Sequence, residues 1–535
     1  MVMEENRRRK LSNGIQYFEE IRRGGYVYVD KTDMVWSIAN GRKYNFLGRP
    51  RRFGKSLLVS TLQCYFEGRK DLFEGLRIME LEKEWISRPV FRFDFSGAET
   101  AQDLELRLDN YLRRYEQVFG RDTWEQTLGD RLLSLLKRAN EKTGCQVAVL
   151  VDEYDAPLQH SLFNDEEHKK LVSVYRGFFP ALKEGELYVK CVFLTGITKF
   201  TQLSLFSTLN TVSILSLLPQ YETLCGMTRQ EIVDNYAPEL DAMARKNGWG
   251  MEETLSALKN DYDGYYFSAE RNEPVYNPFS LVNALDTGRI SNYWASSGGS
   301  QMLTEMLSRQ GANIMDLDNS LVDGDLMETS DVSVDNLPLF LYQCGYLTIK
   351  DYRDGVYYLG FPNGEVRRSL YKVILPIALS RSSSDVMSSI SRMRVDLSSG
   401  DIEGAMLSLK ELVAGTPYAS KGEKSLEERY QFILVQAFYL CGFRIEQHRK
   451  VSKGEIDVVA YRGNLTLVME LKVGNGSRGI EKGEEQAYDR NYLSSFCASG
   501  RDVYLIVVSF STKEGGISGY KVRKVTYDSE GNISL

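Results

Sequence analysis

The chain has 535 residues, with 66 Lys and Arg against 73 Asp and Glu and a formal charge of −7. At about 150 residues per domain, that length holds roughly three or four domains, each able to bury a core. With 43% hydrophobic and 26% charged residues it sits in ordinary globular usage, which excludes global disorder and fibrous repeats; the acidity argues against a wholly basic nucleic-acid binder, though not against a local basic groove.

In chain order, Tyr44–Gly48 reads as a short apolar strand, followed by a Gly/Arg-rich turn and a helix over Ser56–Tyr65. Pro89–Phe95, Cys145–Val151 and Tyr188–Leu194 read as further strands between helical patterns. That alternation predicts an α/β domain with a largely parallel sheet. Beyond Ser213 the pattern changes to helices such as Glu231–Asn247, broken by aromatic turns such as Tyr262-Asp263-Gly264-Tyr265-Tyr266. Pro338 opens a helix over Leu339–Leu347, and a hairpin over Thr348–Tyr358 turns at Arg353-Asp354-Gly355. A helix followed by a hairpin predicts a winged-helix-like middle region. Ser382–Ser399 is Ser-rich and reads as a boundary. After it come helices at Gly404–Leu412 and Leu426–Cys441, then strands at Ile456–Tyr461, Leu465–Leu471 and Val503–Phe510, a compact mixed α/β unit. The expected domains are residues 1–215, 216–395 and 396–535.

The segment from Phe46 to Ser56, with Gly54-Lys55-Ser56 at its end, lies between a strand and a helix, the setting of a phosphate-binding P-loop. Gly48 and Gly54 suit close backbone approach to phosphate, and the helix N–H groups point at the anion. Lys55 would reach the β/γ-phosphates of ATP, and the Ser56 hydroxyl would ligate Mg²⁺. The fit to GxxxxGK[ST] is imperfect, because Arg49 holds the first glycine position and Gly48 comes one residue early. Val147–Val151 delivers Asp152 and Glu153 at its C-terminal end, as in a Walker B element. Asp152 would hold the Mg²⁺ shell, while Glu153 orients or deprotonates the attacking water. Downstream, Thr198 or Lys199 could sense the γ-phosphate, or their segment is a plain strand-end turn. Arg51 and Arg52 either contact phosphate or a neighbouring subunit, which leaves a homo-oligomer open, or form a solvated basic loop.

Gly14–Glu20, Tyr28–Thr32, Arg49–Leu57, Val151–Asp155, Thr198–Phe200 and Ser204–Asn210 together resemble the AAA-ATPase-like family of bacterial proteins, in order over the first 215 residues. The resemblance implies a P-loop NTPase sheet that binds ATP and Mg²⁺, and it makes the arginine-rich loop a family trait.

A second constellation lies near the end. Asp457 opens one strand, Arg462-Gly463-Asn464 turns, and Glu470-Leu471-Lys472 closes the next. Strand alternation puts Glu470 and Lys472 on one face. Asp457 and Glu470 converging make a hard oxygen site for Mg²⁺, with the Leu471 carbonyl as a third ligand. Lys472 can orient a metal-bound water or offset charge on a phosphodiester in flight. The Asp–x12–Glu–x–Lys spacing resembles the PD-(D/E)XK nuclease superfamily, in the form fused behind AAA-ATPase-like domains. That resemblance implies a restriction-endonuclease-like α/β domain, with Glu427 of Glu427-Glu428-Arg429-Tyr430 as a further acid and Gln486 and Tyr492 following the core strands. Where some relatives have Gly-Arg before the aspartate, this chain has Gly454-Glu455.

Around these motifs the expectations are plainer. The aromatics between Tyr262 and Trp294 suit core packing better than a platform for bases. The basic runs Arg7–Lys10 and Arg444–Lys453 could track a phosphate backbone, the second preferably, since His448, Arg449, Lys450 and Lys453 directly precede the site. His160 and His168 read as surface. Seven scattered cysteines, never CxxC, and three histidines predict no disulfide framework, no structural zinc and a reducing compartment. Arg7–Lys10 has no apolar run behind it, unlike a signal peptide, and Val147–Val151 and Val503–Val508 are far short of the roughly 20 residues a bilayer requires. The expectation is a cytoplasmic protein without a membrane partner: an ATP-regulated, Mg²⁺-dependent nuclease acting on nucleic acid, DNA ahead of RNA. The alternative is a nucleotide-sensing switch or scaffold whose nuclease-like domain only binds nucleic acid or a protein.

Overall fold

The computed structural model describes residues 9–198, 212–294, 300–310, 317–329, 336–414, 426–451, 454–474, 476–489, 492–511, 515–527 and 533–534. The chain divides into two compact units, Met1–Met302 with Leu317–Arg367, and Leu303–Asp316 with Arg368–Leu535.

After two short helices, Phe18–Gly24 and Thr32–Asn40, the first unit has β1 (Tyr44–Gly48), followed by helix α1 (Lys55–Phe66); β2 (Val90–Asp94), α2 (Ala101–Phe119), α3 (Leu128–Thr143), β3 (Val147–Asp152), β4 (Val189–Gly196) and β5 (Ser213–Ile214) come later. The five strands make one sheet in the order β2-β3-β4-β1-β5, with every pairing parallel. All six residues of β3 are buried, as a parallel strand covered on both faces requires, so its apolar run is unbroken until Asp152. Thr100 and Thr127 start α2 and α3 with capping boxes completed by Asp103 and Asp130. The strand order sets β4 between β1 and β3, so Gly48, Gly196 and Asp152 end side by side at the carboxyl edge, where ligands of such sheets bind.

The same unit continues with α4 (Arg229–Asn247), α5 (Met251–Tyr262), α6 (Pro278–Thr287), β6 (Ser320–Asp323), α7 (Leu337–Gln343), β7 (Thr348–Arg353) and β8 (Val356–Gly360). Ile232, Tyr236, Leu258, Tyr262, Tyr276 and Leu281 form the core shared by α4, α5 and α6. The expected helix and hairpin are present, and β6 adds a third antiparallel strand in the order β6-β8-β7. Tyr262, Tyr265 and Tyr276 are buried, so these rings are packing residues.

Glu365 is buried and accepts the N–H groups of Tyr293 (2.6 Å) and Trp294 (2.9 Å). Burial pushes its carboxyl up to about 7 from an ordinary value near 4.5, against the downward pull of those N–H groups and the Ser280 hydroxyl. The folded chain therefore holds a proton that the unfolded chain releases, and the stability this group contributes is full below pH 4.5 and lost as pH rises through 7. Glu365→Gln should flatten that fall in a series of urea unfolding curves; parallel profiles for wild type and variant would contradict it.

The second unit contains α8 (Ser383–Ser399), α9 (Ile402–Val413), α10 (Leu426–Leu440), β9 (Arg444–Val451), β10 (Gly454–Arg462), β11 (Leu465–Val473), α11 (Gly476–Asp489), β12 (Asp502–Phe510), β13 (Ile517–Tyr527) and β14 (Ile533–Ser534). Its six strands are ordered β14-β13-β12-β11-β10-β9. β9, β10 and β11 form an antiparallel meander, α11 crosses over, and β12 returns parallel to β11. Residues 426–510 thus run helix, three strands, helix, strand. Tyr430 of α10 stacks on Phe510 of β12, with ring centroids 4.3 Å apart.

The Ser-rich stretch read as a boundary is instead helix α8. Ser382 caps its first turn, Gly400 closes it at φ 82°, and Val386, Ile390, Met393 and Leu397 form a buried stripe. β9 is the edge strand of the sheet, although its sequence had read only as a basic run.

Helix α11 lies close on β12 because Gly483 has no side chain: a Cβ there would sit 2.4 Å from Val507 Cγ1. Gly483→Ala gains about 1 kcal/mol in helix propensity but overpacks the contact, which costs about 1–3 kcal/mol. A net loss of stability is expected on urea unfolding, and a net gain would show that the helix has room to move.

Candidate functional site

The phosphate loop connects β1 to α1. Gly54, the residue before the helix, has φ 84°, in the left-handed region that favours glycine. Lys55 is 6% exposed, and its ammonium donates to the carbonyls of Arg49 (3.0 Å) and Pro50 (3.1 Å). Burial pulls its pKa below the ordinary lysine range, opposed by the carboxylates of Glu153, Asp155 and Asp152. Asp152 is 2% exposed and bonds the Ser56 hydroxyl; burial raises its carboxyl and that of Glu153. Asp152 Oδ1 has no hydrogen-bond partner among the described residues, and the Arg92 guanidinium stands 3.8 Å from Oδ2. An orphaned carboxylate oxygen beside a serine hydroxyl is a donor set suited to a hard divalent cation, so Ser56 and Asp152 fit Mg²⁺. Glu153 holds φ 49°, a strained conformation for a non-glycine residue at the strand end.

Beside the loop is a cavity of about 510 Å³, within the roughly 300–1,000 Å³ usual for small-molecule sites. Arg51, Arg52, Gly54, Lys55, Ser56 and Glu153 border it on the loop side; Ser12–Gln16, Met227, Phe279 and Val282 complete it. The Arg52 guanidinium lies 4.7 Å from the Phe279 ring centroid. His160 borders the cavity while remaining exposed.

Gly48 and Arg49 stand elsewhere. Gly48 N–H donates to the Ser216 hydroxyl (2.7 Å). Arg49, 1% exposed, donates to the carbonyls of Gly48, Ser216 and Tyr221. Thr198 is buried against Asp155. Its hydroxyl (2.5 Å) and N–H (2.6 Å) both donate to Asp155 Oδ2, which also accepts Ile197 N–H and the Gln159 amide. Asp155 thereby ties the ends of β3 and β4 together. Lys199, Ser204–Asn210 and Lys453 lie outside the described residues.

In the second unit, β10 and β11 are paired as far as Val458 and Met469, so the next residues, Asp457 and Glu470, sit where pairing stops. Asp457 Oδ2 accepts Leu471 N–H at 2.7 Å. In an extended strand the N–H and C=O of one residue point to the same side, so the Leu471 carbonyl also faces β10. Glu470 is 1% exposed and its Oε1 pairs with the Lys472 ammonium at 2.6 Å. Burial raises the Asp457 carboxyl, with Leu471 N–H, Lys472 and His448 pulling it back. Among the described residues no three His, Cys, Asp or Glu side chains gather into a metal cluster. Asp457, Glu470 and the Leu471 carbonyl are nonetheless an all-oxygen set compatible with Mg²⁺.

Gln431 of α10 places its amide 3.4 Å from the Asp457 carbonyl and 3.3 Å from His448 Nε2. Glu427 is exposed one turn earlier on the same helix face. His448 Nδ1 pairs with Glu455 at 2.7 Å. The Gln486 amide donates to the Tyr492 hydroxyl at 2.9 Å, at the base of α11.

A family model described as AAA-ATPase-like, a predicted AAA-ATPase, matches residues 12–206. A relative from Azotobacter chroococcum mcd 1, "Uncharacterized protein in vnfD 5'region", is 30% identical over 529 residues, covering 97% of this chain and 99% of its own length. The chain belongs to the AAA-ATPase-like family.

The matched region of this AAA-ATPase-like protein contains the whole loop, Asp152 and Glu153, and the Ser12–Gln16 wall of the cavity. Sequence reasoning placed Lys55, Ser56, Asp152 and Glu153 together. It gave no role to Asp155, although that residue closes the Val151–Asp155 motif, and it missed Phe279 and Val282, which carry no local motif, and Gln431, whose only signal was its place one turn beyond Glu427 on α10. No helix among the described residues is long and apolar enough to cross a membrane.

Proposed function

We propose that this AAA-ATPase-like protein binds and hydrolyses ATP at the Lys55–Asp152 site, and that its second unit is a Mg²⁺-dependent nuclease of PD-(D/E)XK type acting on nucleic acid, DNA ahead of RNA. At the first site, Lys55 and the loop N–H groups hold phosphate, Arg51 and Arg52 add positive charge along the cavity wall, and Glu153 takes the proton of the attacking water.

The observation that carries the nuclease reading is the hydrogen bond from Leu471 N–H to Asp457 (2.7 Å), with Glu470 and Lys472 in contact next to it. It fixes the Asp457 carboxylate against the backbone of the residue that follows Glu470, and the Glu470–Lys472 pair adjoins it in sequence. The helix, three-strand, helix, strand order of residues 426–510 supports the same reading. Mg²⁺ held by Asp457, Glu470 and the Leu471 carbonyl would supply a Lewis acid and lower the pKa of a bound water. Lys472 orients that water and offsets charge on the phosphodiester. In this reading Glu427 of α10 and Gln486 of α11 join these groups. A two-metal route would recruit Glu427.

Full-length protein with Mg²⁺ should cut plasmid and single-stranded DNA, and chelation by EDTA should stop it. Intact DNA and RNA after incubation, with and without ATP, would overturn the nuclease reading and favour a nucleotide-sensing switch that only binds.

A further inference from the structure

We infer that Arg49 is a positioning residue that builds the middle of the first unit into the nucleotide site, an inference that rests on the ATP reading above. Arg49 occupies the place where a standard phosphate loop has its first glycine. Its side chain turns away from the 510 Å³ cavity and into a second one of about 50 Å³ behind the loop, bordered by Ser216, Phe267 and Tyr342.

There the guanidinium donates to Ser216 O (2.8 Å) and Tyr221 O (2.9 Å), and its carbon lies 4.0 Å from the Phe267 ring centroid. Burying a cation is costly, and a planar fork offsets part of that cost by meeting carbonyls through its terminal N–H groups and an aromatic face at once, while Arg49 Nε has no partner among the described residues. Two further contacts fasten the same loop. Phe53 packs edge-on against Tyr265 (4.8 Å) and Phe267 (5.5 Å). Pro50 lies so close to Gly345 that a Cβ on that glycine would stand 2.4 Å from Pro50 Cβ.

The backbone of Arg49 meanwhile accepts from the Lys55 ammonium. One residue therefore holds the catalytic lysine through its carbonyl and the aromatic turn through its side chain. A Lys55 ammonium drawn to phosphate leaves the Arg49 carbonyl, and the clasp carries that change to residues 216–221 and 265–267.

The test compares wild type with Arg49→Met, which keeps side-chain length and removes the hydrogen bonds, using a fluorescent ADP analogue and amide hydrogen exchange. In wild type, nucleotide should slow exchange in residues 48–57 and also in 213–222 and 262–276. In Arg49→Met, affinity should fall by about tenfold to a hundredfold, and protection should remain in the loop alone. Phe267→Leu, which removes only the ring face, is a second variant should Arg49→Met fail to fold, and it should narrow the protection in the same way. Wild-type protection confined to the loop, or a variant with the wild-type spread, would overturn the inference while leaving the ATP reading standing. A wild type that binds no nucleotide would overturn both.

Discussion

Glu470→Ala is expected to lower Mg²⁺-dependent DNA cleavage by about a thousandfold, the scale on which losing one group aimed at transition-state charge is felt. ATP turnover should be unchanged. Glu470 is almost wholly buried and touches Lys472, so the substitution would remove a proposed metal ligand and free the lysine together. Lys472 is 24% exposed and can turn to solvent, which keeps the fold from carrying an unpaired buried charge. Glu470→Gln separates the two effects: it keeps the shape, loses the charge and should be nearly as inactive. Lys472→Arg should restore little, because a planar fork does not replace a point charge at this position. Variants that melt like wild type and cleave like wild type would remove the site assignment.

Lys55→Ala is expected to abolish ATP turnover while leaving apo stability equal or higher. Lys55 is buried, and among the described residues its ammonium donates to two loop carbonyls, with the carboxylates of Glu153, Asp155 and Asp152 also favouring its charge. Desolvation is therefore incompletely offset, and removing the charge costs the apo protein little. Wild type should gain melting temperature with Mg·ATP, by mass action on the folded state, and Lys55→Ala should lose that gain. Turnover persisting in the variant would detach the P-loop reading from this site. Wild type that binds ATP without ever turning it over would identify a switch.

How far the sequence carried these sites depended on how local they were. Gly54-Lys55-Ser56 and the apolar run into Asp152 are short-range patterns, and the parallel sheet enforces them because β3 is buried on both faces. The hairpin carrying Asp457 and Glu470 was legible for the same reason: two apolar strands flank a turn at Gly463, whose φ is 53°. Long-range groups were not legible. Arg49 read as the residue standing at the loop's first glycine position, yet it is buried against carbonyls more than 160 positions away. Thr198 offered a hydroxyl at a strand end, and only the fold shows Asp155 claiming it. At Ser382–Ser399 composition misled, since serines on the solvent side of a capped helix hid the stripe from Val386 to Leu397. Strand β9, exposed along one sheet edge, lacks the alternation that marks a half-buried strand.

The most direct measurement is anomalous diffraction from crystals of the full chain soaked in Mn²⁺ with ADP. One manganese is expected bound by Asp457, Glu470 and the Leu471 carbonyl at about 2.0–2.2 Å, near octahedral Mg²⁺ distances. A second is expected beside Ser56 and Asp152, with the Lys55 ammonium on the nucleotide phosphate. Manganese absent from Asp457 and Glu470, with Glu470 still held by Lys472 at saturating metal, would contradict the nuclease site assignment.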